Sequence, residues 1–321
     1  MCSQLIDRFQ RLPTSFVLSS EVSRALQKKA PVVALESTVI THGLPHPENL
    51  ALARDMESQV RQAGSIPATI AVLEGKIRVG LNDDQLEKLA TATNVRKISV
   101  RDFAPALAGG ASGSQTGGTT VAATLFAADK AGIRVFATGG IGGVHREPPF
   151  DVSADLPQLA ITPTIVVCAG VKAILDLPGT LEYLETVGVP VIGYQTDEFP
   201  AFYSHESGLP VSARADSANE VAAIALAHWE LGMQSTVLVT VPPPPDDALP
   251  ANVVNQAIEQ ALSEAREHHI RGQAVTPFLL SRVSELTGKA SLHANLGLLK
   301  NNAWIASQIA QALFPMGDRL V

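Results

Sequence analysis

The chain has 321 residues, 46% of them apolar and 17% charged, with a formal net charge of −7. That balance excludes a disordered chain and the basic footprint of a nucleic-acid binder, so a small-molecule ligand is expected. The two cysteines, Cys2 and Cys168, do not make a disulfide framework and suit a reducing compartment.

No apolar run reaches the ~18 residues of a membrane span. The N-terminus lacks the charged, apolar and small-residue order of a secretion signal, so a cytoplasmic protein is expected. Residues 1–25 read as an N-terminal extension, poorly ordered, ahead of a single domain over 26–321.

Val32–Leu35 reads as a strand and 48–63 as a helix, with Pro47 near its start and Gly64 just past its end. A strand over 68–73 and its hairpin partner over 76–80 follow, then a helix over 83–92 and a strand over 97–100. The pattern predicts a helix over 119–131 closed by Gly132, and a strand over 133–138. Residues 164–169 are nearly all apolar, as in a strand buried on both faces. Next come a helix over 171–184 interrupted by Pro178 and Gly179, a strand over 189–194, a helix over 219–231 and a strand over 236–241.

The proline run over 241–245 is a rigid connector, after which the chain is mainly helical from Ala251 to about Leu313. This alternation predicts an α/β fold: a central mixed, largely parallel sheet flanked by helices, with the C-terminal helices packed on the same domain.

Four segments place reactive residues at strand ends, where open α/β sheets gather ligands. Glu36 ends the first strand and reads either as an acid or base or as a surface carboxylate; His42 and His46 follow it. Gly117-Gly118-Thr119-Thr120-Val121 leads toward a helix whose N-terminal N–H groups and hydroxyls, with Thr119 and Thr120, could cradle an anion; the plainer reading is a loose N-cap. A glycine run, Thr138 to Arg146, precedes Asp151-Val152-Ser153-Ala154-Asp155. If Ser153 opens the next helix, Asp151 lies just outside it, as a ligand for a hydrated hard cation or merely as a cap.

Lys172 is the only Lys or Arg between Arg146 and Arg214 and sits among apolar neighbours. Burial lowers a lysine's proton affinity, and a neutral amine can form a Schiff base. Lys97 opens another strand, as a phosphate contact or a surface lysine. These residues suggest imine chemistry on a sugar phosphate without naming the substrate.

The stretches 34–40, 117–124, 136–146, 151–156, 163–173, 178–184, 193–199, 223–232, 275–288 and 294–303 resemble the pseudouridine-5'-phosphate glycosidase family, which includes indigoidine synthase A-like proteins. The likeness runs from about Pro31 to Phe314. It implies a homotrimer that splits pseudouridine 5'-phosphate, reversibly, into uracil and ribose 5-phosphate. It implies Mn²⁺, one per subunit, with Mg²⁺ or another divalent ion as alternatives.

Lys172 matches the family's imine-forming lysine, Glu36 its proton donor and Asp151 its metal ligand. Lys97, Val121, Ser153, Ala154 and Asp155 match substrate-binding positions; His145 and Asn295 match further pocket residues. A functional link to a pseudouridine kinase goes with the resemblance.

The chain departs from the family's pattern in a longer stretch between Phe103 and Gly117, a shorter one at Glu147-Pro148-Pro149, and Val241-Pro242 where Asn-Pro is usual. The competing readings are another imine-forming sugar-phosphate lyase or aldolase, and a non-catalytic sugar-phosphate-binding protein.

Overall fold

The computed structural model describes residues 12–109, 116–146, 151–270 and 275–315. Phe16–Leu18 forms strand β1, which runs parallel to β4, Lys76–Val79. Helix α1, Ser20–Gln27, follows; the Ser19 hydroxyl caps it by accepting from the Val22 N–H at 3.2 Å. Within the expected extension over 1–25, residues 16–18 thus form a strand and residues 20–25 belong to α1, while residues 1–11 lie outside the described chain. Three strand residues are too few to show a period, but Val22 and Ala25 bury one face of α1 in the core.

The central sheet is built from β2 (Val32–Leu35), β3 (Ile66–Leu73), β7 (Val135–Ala137), β8 (Ile165–Cys168), β9 (Val191–Tyr194), β10 (Ala213–Ala215) and β11 (Val237–Thr240). In the order β3-β2-β7-β8-β11-β9-β10 all neighbours are parallel. Every residue of β2, β7, β8 and β11 is buried. Since successive side chains point to opposite faces, both faces of these strands are covered.

β3 serves two sheets. Its first half pairs with β2, and its second half pairs antiparallel with β4 and with β6, Gly117–Thr119, which in turn runs parallel to β5, Arg96–Ile98. The sheet is thus mixed and mostly parallel, as expected.

Helices α2 (Glu48–Gln62), α8 (Ala218–Glu230) and α11 (Ala290–Leu313) pack together, and α11 lies across β2, β7 and β8. α11 thus returns to the sheet, while α9 (Ala251–Glu267) and α10 (Val275–Leu286) pack on each other and α10 on α11. α3, Asp83–Thr91, begins at an Asn82–Gln85 capping box. α4 spans Phe103–Leu107. α5, Val121–Ala131, is alanine-rich and almost wholly buried, which lets it lie close to β2, β3 and β6. Gly132 closes it in the left-handed conformation.

Two expected elements differ. Residues 117–119 form a strand, so the helix foreseen from 119 begins at Val121 behind the N-cap Thr120. The helix foreseen over 171–184 begins only at Leu177 (α7, Leu177–Thr186), capped by Asp176. Pro178 does not interrupt this helix but lies in its first turn, where its missing N–H costs nothing.

Candidate active site

The carboxyl ends of β2, β7 and β8 carry the reactive groups. Glu36 directly follows β2 and is 6% exposed. One carboxylate oxygen accepts from the Thr38 hydroxyl and the other from the Thr138 hydroxyl. Ser37 ties this end down: its hydroxyl donates to the Ile70 carbonyl at 2.6 Å and accepts from the Thr119 N–H at 2.9 Å.

A π-helical turn, Val39–Gly43, then carries His42, whose Nδ1 lies 2.7 Å from the Thr41 hydroxyl. Burial and the charge of Lys97 hold the His42 imidazole below the usual histidine range, against a hydrogen bond at the Val95 backbone. A Cβ on Gly118 would come within 2.2 Å of the Thr41 hydroxyl oxygen, so β6 approaches this turn only as glycine.

Thr119 is fully buried and its hydroxyl donates to the Ile70 carbonyl at 2.6 Å. The Thr120 hydroxyl caps α5, accepting from the Ala123 N–H at 3.3 Å. Both hydroxyls are thus engaged within the fold, and Val121 is buried at the first turn of α5.

The glycine run after β7 is laced to α5 by one carboxylate. Asp155, 5% exposed, accepts from the Ala122 N–H at 2.9 Å and the Gly142 N–H at 2.8 Å. The Ser153 N–H donates to the Gly143 carbonyl at 3.0 Å, and a Cβ on Gly142 would fall 2.2 Å from the Ser153 hydroxyl. The short helix α6, Asp155–Leu159, starts behind Ala154 rather than at Ser153. Asp151 stands further out: its carbonyl accepts from the His145 N–H at 2.9 Å, and its carboxylate lies 3.8 Å from His145 Nδ1. Among the described residues, no three His, Cys, Asp or Glu side chains converge on one point.

Lys172 sits on a turn after β8, not on a helix. Its N–H donates to the Ile141 carbonyl at 3.2 Å and its carbonyl accepts from the Leu175 N–H at 2.9 Å. It is half-buried. Lys97, on β5, has a lowered proton affinity. Burial and then the charge of Lys172 push it down, while Asp155 and Glu36 push the other way. Lys172, Asp155 and Glu36 therefore all lie within electrostatic reach of Lys97.

Asn295 is half-buried on α11. Asn302, seven residues on and so on the same helix face, donates from Nδ2 to the Thr138 carbonyl at 2.9 Å. Thr38, Thr138 and Asn302 were not singled out from the sequence. A hydroxyl two residues from a candidate acid was a usable signal for Thr38, but the other two act across more than a hundred residues. An open groove of about 520 Å³ beside Tyr194 and Trp304 shares no residue with this cluster.

The model of indigoidine synthase A-like proteins matches residues 21–312. The chain belongs to the indigoidine synthase A-like family. Within it, the chain is 54% identical to the pseudouridine-5'-phosphate glycosidase of Solibacter usitatus, covering 92% of this chain and 98% of that protein. It is 52% identical to the enzyme of the same name from Geobacillus kaustophilus, over 92% of this chain and 98% of the other. Among solved structures of the family's fold, the prealnumycin C-glycosynthase AlnA in complex with ribulose 5-phosphate superposes with a TM-score of 0.85 at 42% identity, covering 94% of this chain and 97% of that one. An indigoidine synthase A-like protein of Thermotoga maritima gives a TM-score of 0.84 at 35% identity, with 93% and 97% covered. The expectation of a glycosidase- or lyase-type enzyme is met at the level of the family. Among the described residues, no helix is long and apolar enough to cross a membrane.

Proposed function

We propose that the protein cleaves the carbon–carbon glycosidic bond of pseudouridine 5'-phosphate, giving uracil and ribose 5-phosphate in a reversible reaction. The observation that carries this reading is the cluster of Lys172, Glu36, Lys97 and Asp155 at the strand ends of a chain about half identical to enzymes of that name.

An ordinary glycosidase protonates a leaving heteroatom. A C-glycoside has none, so the electrons of the broken bond need another sink. In the reaction proposed, O4' leaves C1' with a proton as the ribose ring opens, and the Lys172 nitrogen bonds to C1'. The nitrogen lone pair then forms the C1' imine as the bond to uracil C5 breaks. That carbon keeps the electron pair and takes a proton, and water hydrolyses the imine to the aldehyde of ribose 5-phosphate. Glu36 gives and takes the protons.

Lys97, half-buried on β5, is the phosphate contact, with the N-terminal N–H groups of α5 at Val121 beside it. The Thr119 and Thr120 positions contribute backbone, since their hydroxyls are engaged. Ser153, Ala154, Asp155, His145 and Asn295 complete the pocket in this reading.

Asp151 fits a hydrated hard cation: one partly exposed carboxylate leaves most coordination positions to water and substrate oxygens. It would hold Mn²⁺, or Mg²⁺, one per subunit, and the ion when bound supplies positive charge near the sugar phosphate. A homotrimer, a cytoplasmic setting and a pseudouridine kinase supplying the substrate belong to the same proposal.

A second reading, another sugar-phosphate C-glycoside enzyme with a different aglycone, is favoured by the likeness to AlnA in its complex with ribulose 5-phosphate. The test is uracil release from pseudouridine 5'-phosphate with Mn²⁺, followed by chromatography beside Lys172→Ala. Release by the wild type alone is expected. Release that survives in the variant removes the imine route, and a folded, metal-loaded wild type that releases none rejects the substrate.

A further inference from the structure

A carboxylate that trades protons with a substrate must be aimed and must keep a defined proton affinity. The register of the central sheet arranges this for Glu36. Leu35 is paired with Ala137, so the residues that follow, Glu36 and Thr138, leave β2 and β7 at the same level. Each carboxylate oxygen takes a hydrogen bond from a different threonine, Thr38 from its own strand end and Thr138 from the neighbour's. The space beneath, bounded by Leu35, Val39, Ile40, Ala53, Met56 and Thr69, is too small to admit a water molecule.

Thr138 is itself held. It is fully buried, and its N–H donates to the Val167 carbonyl at 3.0 Å. Its carbonyl accepts from Asn302 Nδ2 at 2.9 Å, with the Gly139 carbonyl at 3.5 Å. Asn302 is 1% exposed on α11, and its Oδ1 has no hydrogen-bond partner among the described residues. A buried amide that leaves its oxygen unsatisfied is costly to the fold. Its one structural product is the clamp on Thr138 and Gly139.

We propose that Thr138 is a positioning residue for Glu36, and that Asn302 fixes Thr138 from α11. The direction and proton affinity of the acid–base group are then set from β7 and the last helix. The chemical consequence rests on the glycosidase reading above; the contacts do not. Glu36 lies within electrostatic reach of Lys97 on β5, which also senses Lys172 after β8 and Asp155 on α6. None of them changes when the Thr138 hydroxyl is removed.

The test is a pH titration of the Glu36 carboxyl by NMR, in protein labelled with ¹³C at glutamate Cδ and assigned with Glu36→Gln. Thr138→Val, Thr138→Ser and Asn302→Ala are compared with Thr164→Val. Thr164 is a control because its buried hydroxyl has no hydrogen-bond partner among the described residues. Removing a hydroxyl donor to a carboxylate raises proton affinity about tenfold. That rise is expected in Thr138→Val, a smaller one in Asn302→Ala, and none in Thr138→Ser or Thr164→Val. Uracil release should follow, with kcat falling about tenfold in Thr138→Val while KM stays within about twofold.

A Glu36 titration unmoved in folded Thr138→Val overturns the proposal. Should that variant not fold, an unmoved titration and unchanged kcat in Asn302→Ala overturn it. The NMR readout needs no substrate. A wild type that titrates as described but releases no uracil defeats the assigned reaction and leaves the Glu36–Thr138 pairing standing.

Discussion

Replacing Asp155 with alanine probes the centre of the site without touching Lys172 or Glu36. The wild-type carboxylate is nearly buried and accepts two backbone N–H groups, from Ala122 at 2.9 Å and from Gly142 at 2.8 Å. Alanine leaves both donors buried and unpaired, and hydrogen bonds to a charged acceptor contribute ~1.5–3 kcal/mol each. Two such bonds, less relaxation and water entry, give a loss of about 3–4 kcal/mol.

Asparagine should recover less than half of that, because its amide presents one acceptor and turns a donor toward the second N–H. Hydrogen exchange read by mass spectrometry locates the loss. Peptides covering 121–123 and 140–143 should exchange faster by about two decades, since ~1.4 kcal/mol is tenfold, while β8 peptides hardly change. Unchanged exchange at both 122 and 142 would refute the claim that Asp155 joins the glycine run to α5.

Lys97 has its proton affinity lowered chiefly by burial and by Lys172, so between its folded value and the ordinary lysine value the unfolded chain binds the extra proton. Stability should therefore rise with pH across that window, and Lys97→Met should flatten the rise in urea titrations run from neutral to alkaline pH. Gly142→Ala places a methyl 2.2 Å from the Ser153 hydroxyl oxygen and should destabilise the protein by about 1–3 kcal/mol by thermal melting. Adding Ser153→Gly should restore only part of the loss, because the new methyl would still lie 2.8 Å from an Asp155 carboxylate oxygen. Burial pushes the Cys168 thiol up to about 12, so iodoacetamide at pH 8 should leave it unmodified in native protein and alkylate it once urea unfolds the chain, as read by mass spectrometry.

The strands of the central sheet were legible because burial on both faces writes an uninterrupted apolar run, as in Ile165–Cys168. α5 was legible from its alanines and from Gly132. What misled was glycine: Gly117 and Gly118 read as a loop, yet they form a strand because β6 must pass close to Ser37 and Thr41. The turn bearing Lys172 read as helix because its apolar residues face the core on both sides of an irregular path, which periodicity cannot separate from a buried helix.

At the site, Glu36 and Lys172 were visible as polar residues breaking apolar runs. The engagement of Thr119 by the Ile70 carbonyl was not, because it depends on which strands become neighbours. Nor was Asn302, one of several amides on a long helix, whose partner lies 164 residues earlier.

That last connection has a consequence for the order in which the protein comes into being. A ribosome delivers Glu36, Thr138 and Lys172 long before α11, and domains take shape as the chain emerges. Until Asn302 leaves the exit tunnel and its helix settles across β2, β7 and β8, the end of β7 lacks its clamp. A chain made only as far as Lys172 would thus carry Glu36, Thr138 and Lys172 without the contact that holds Thr138, which comes with α11.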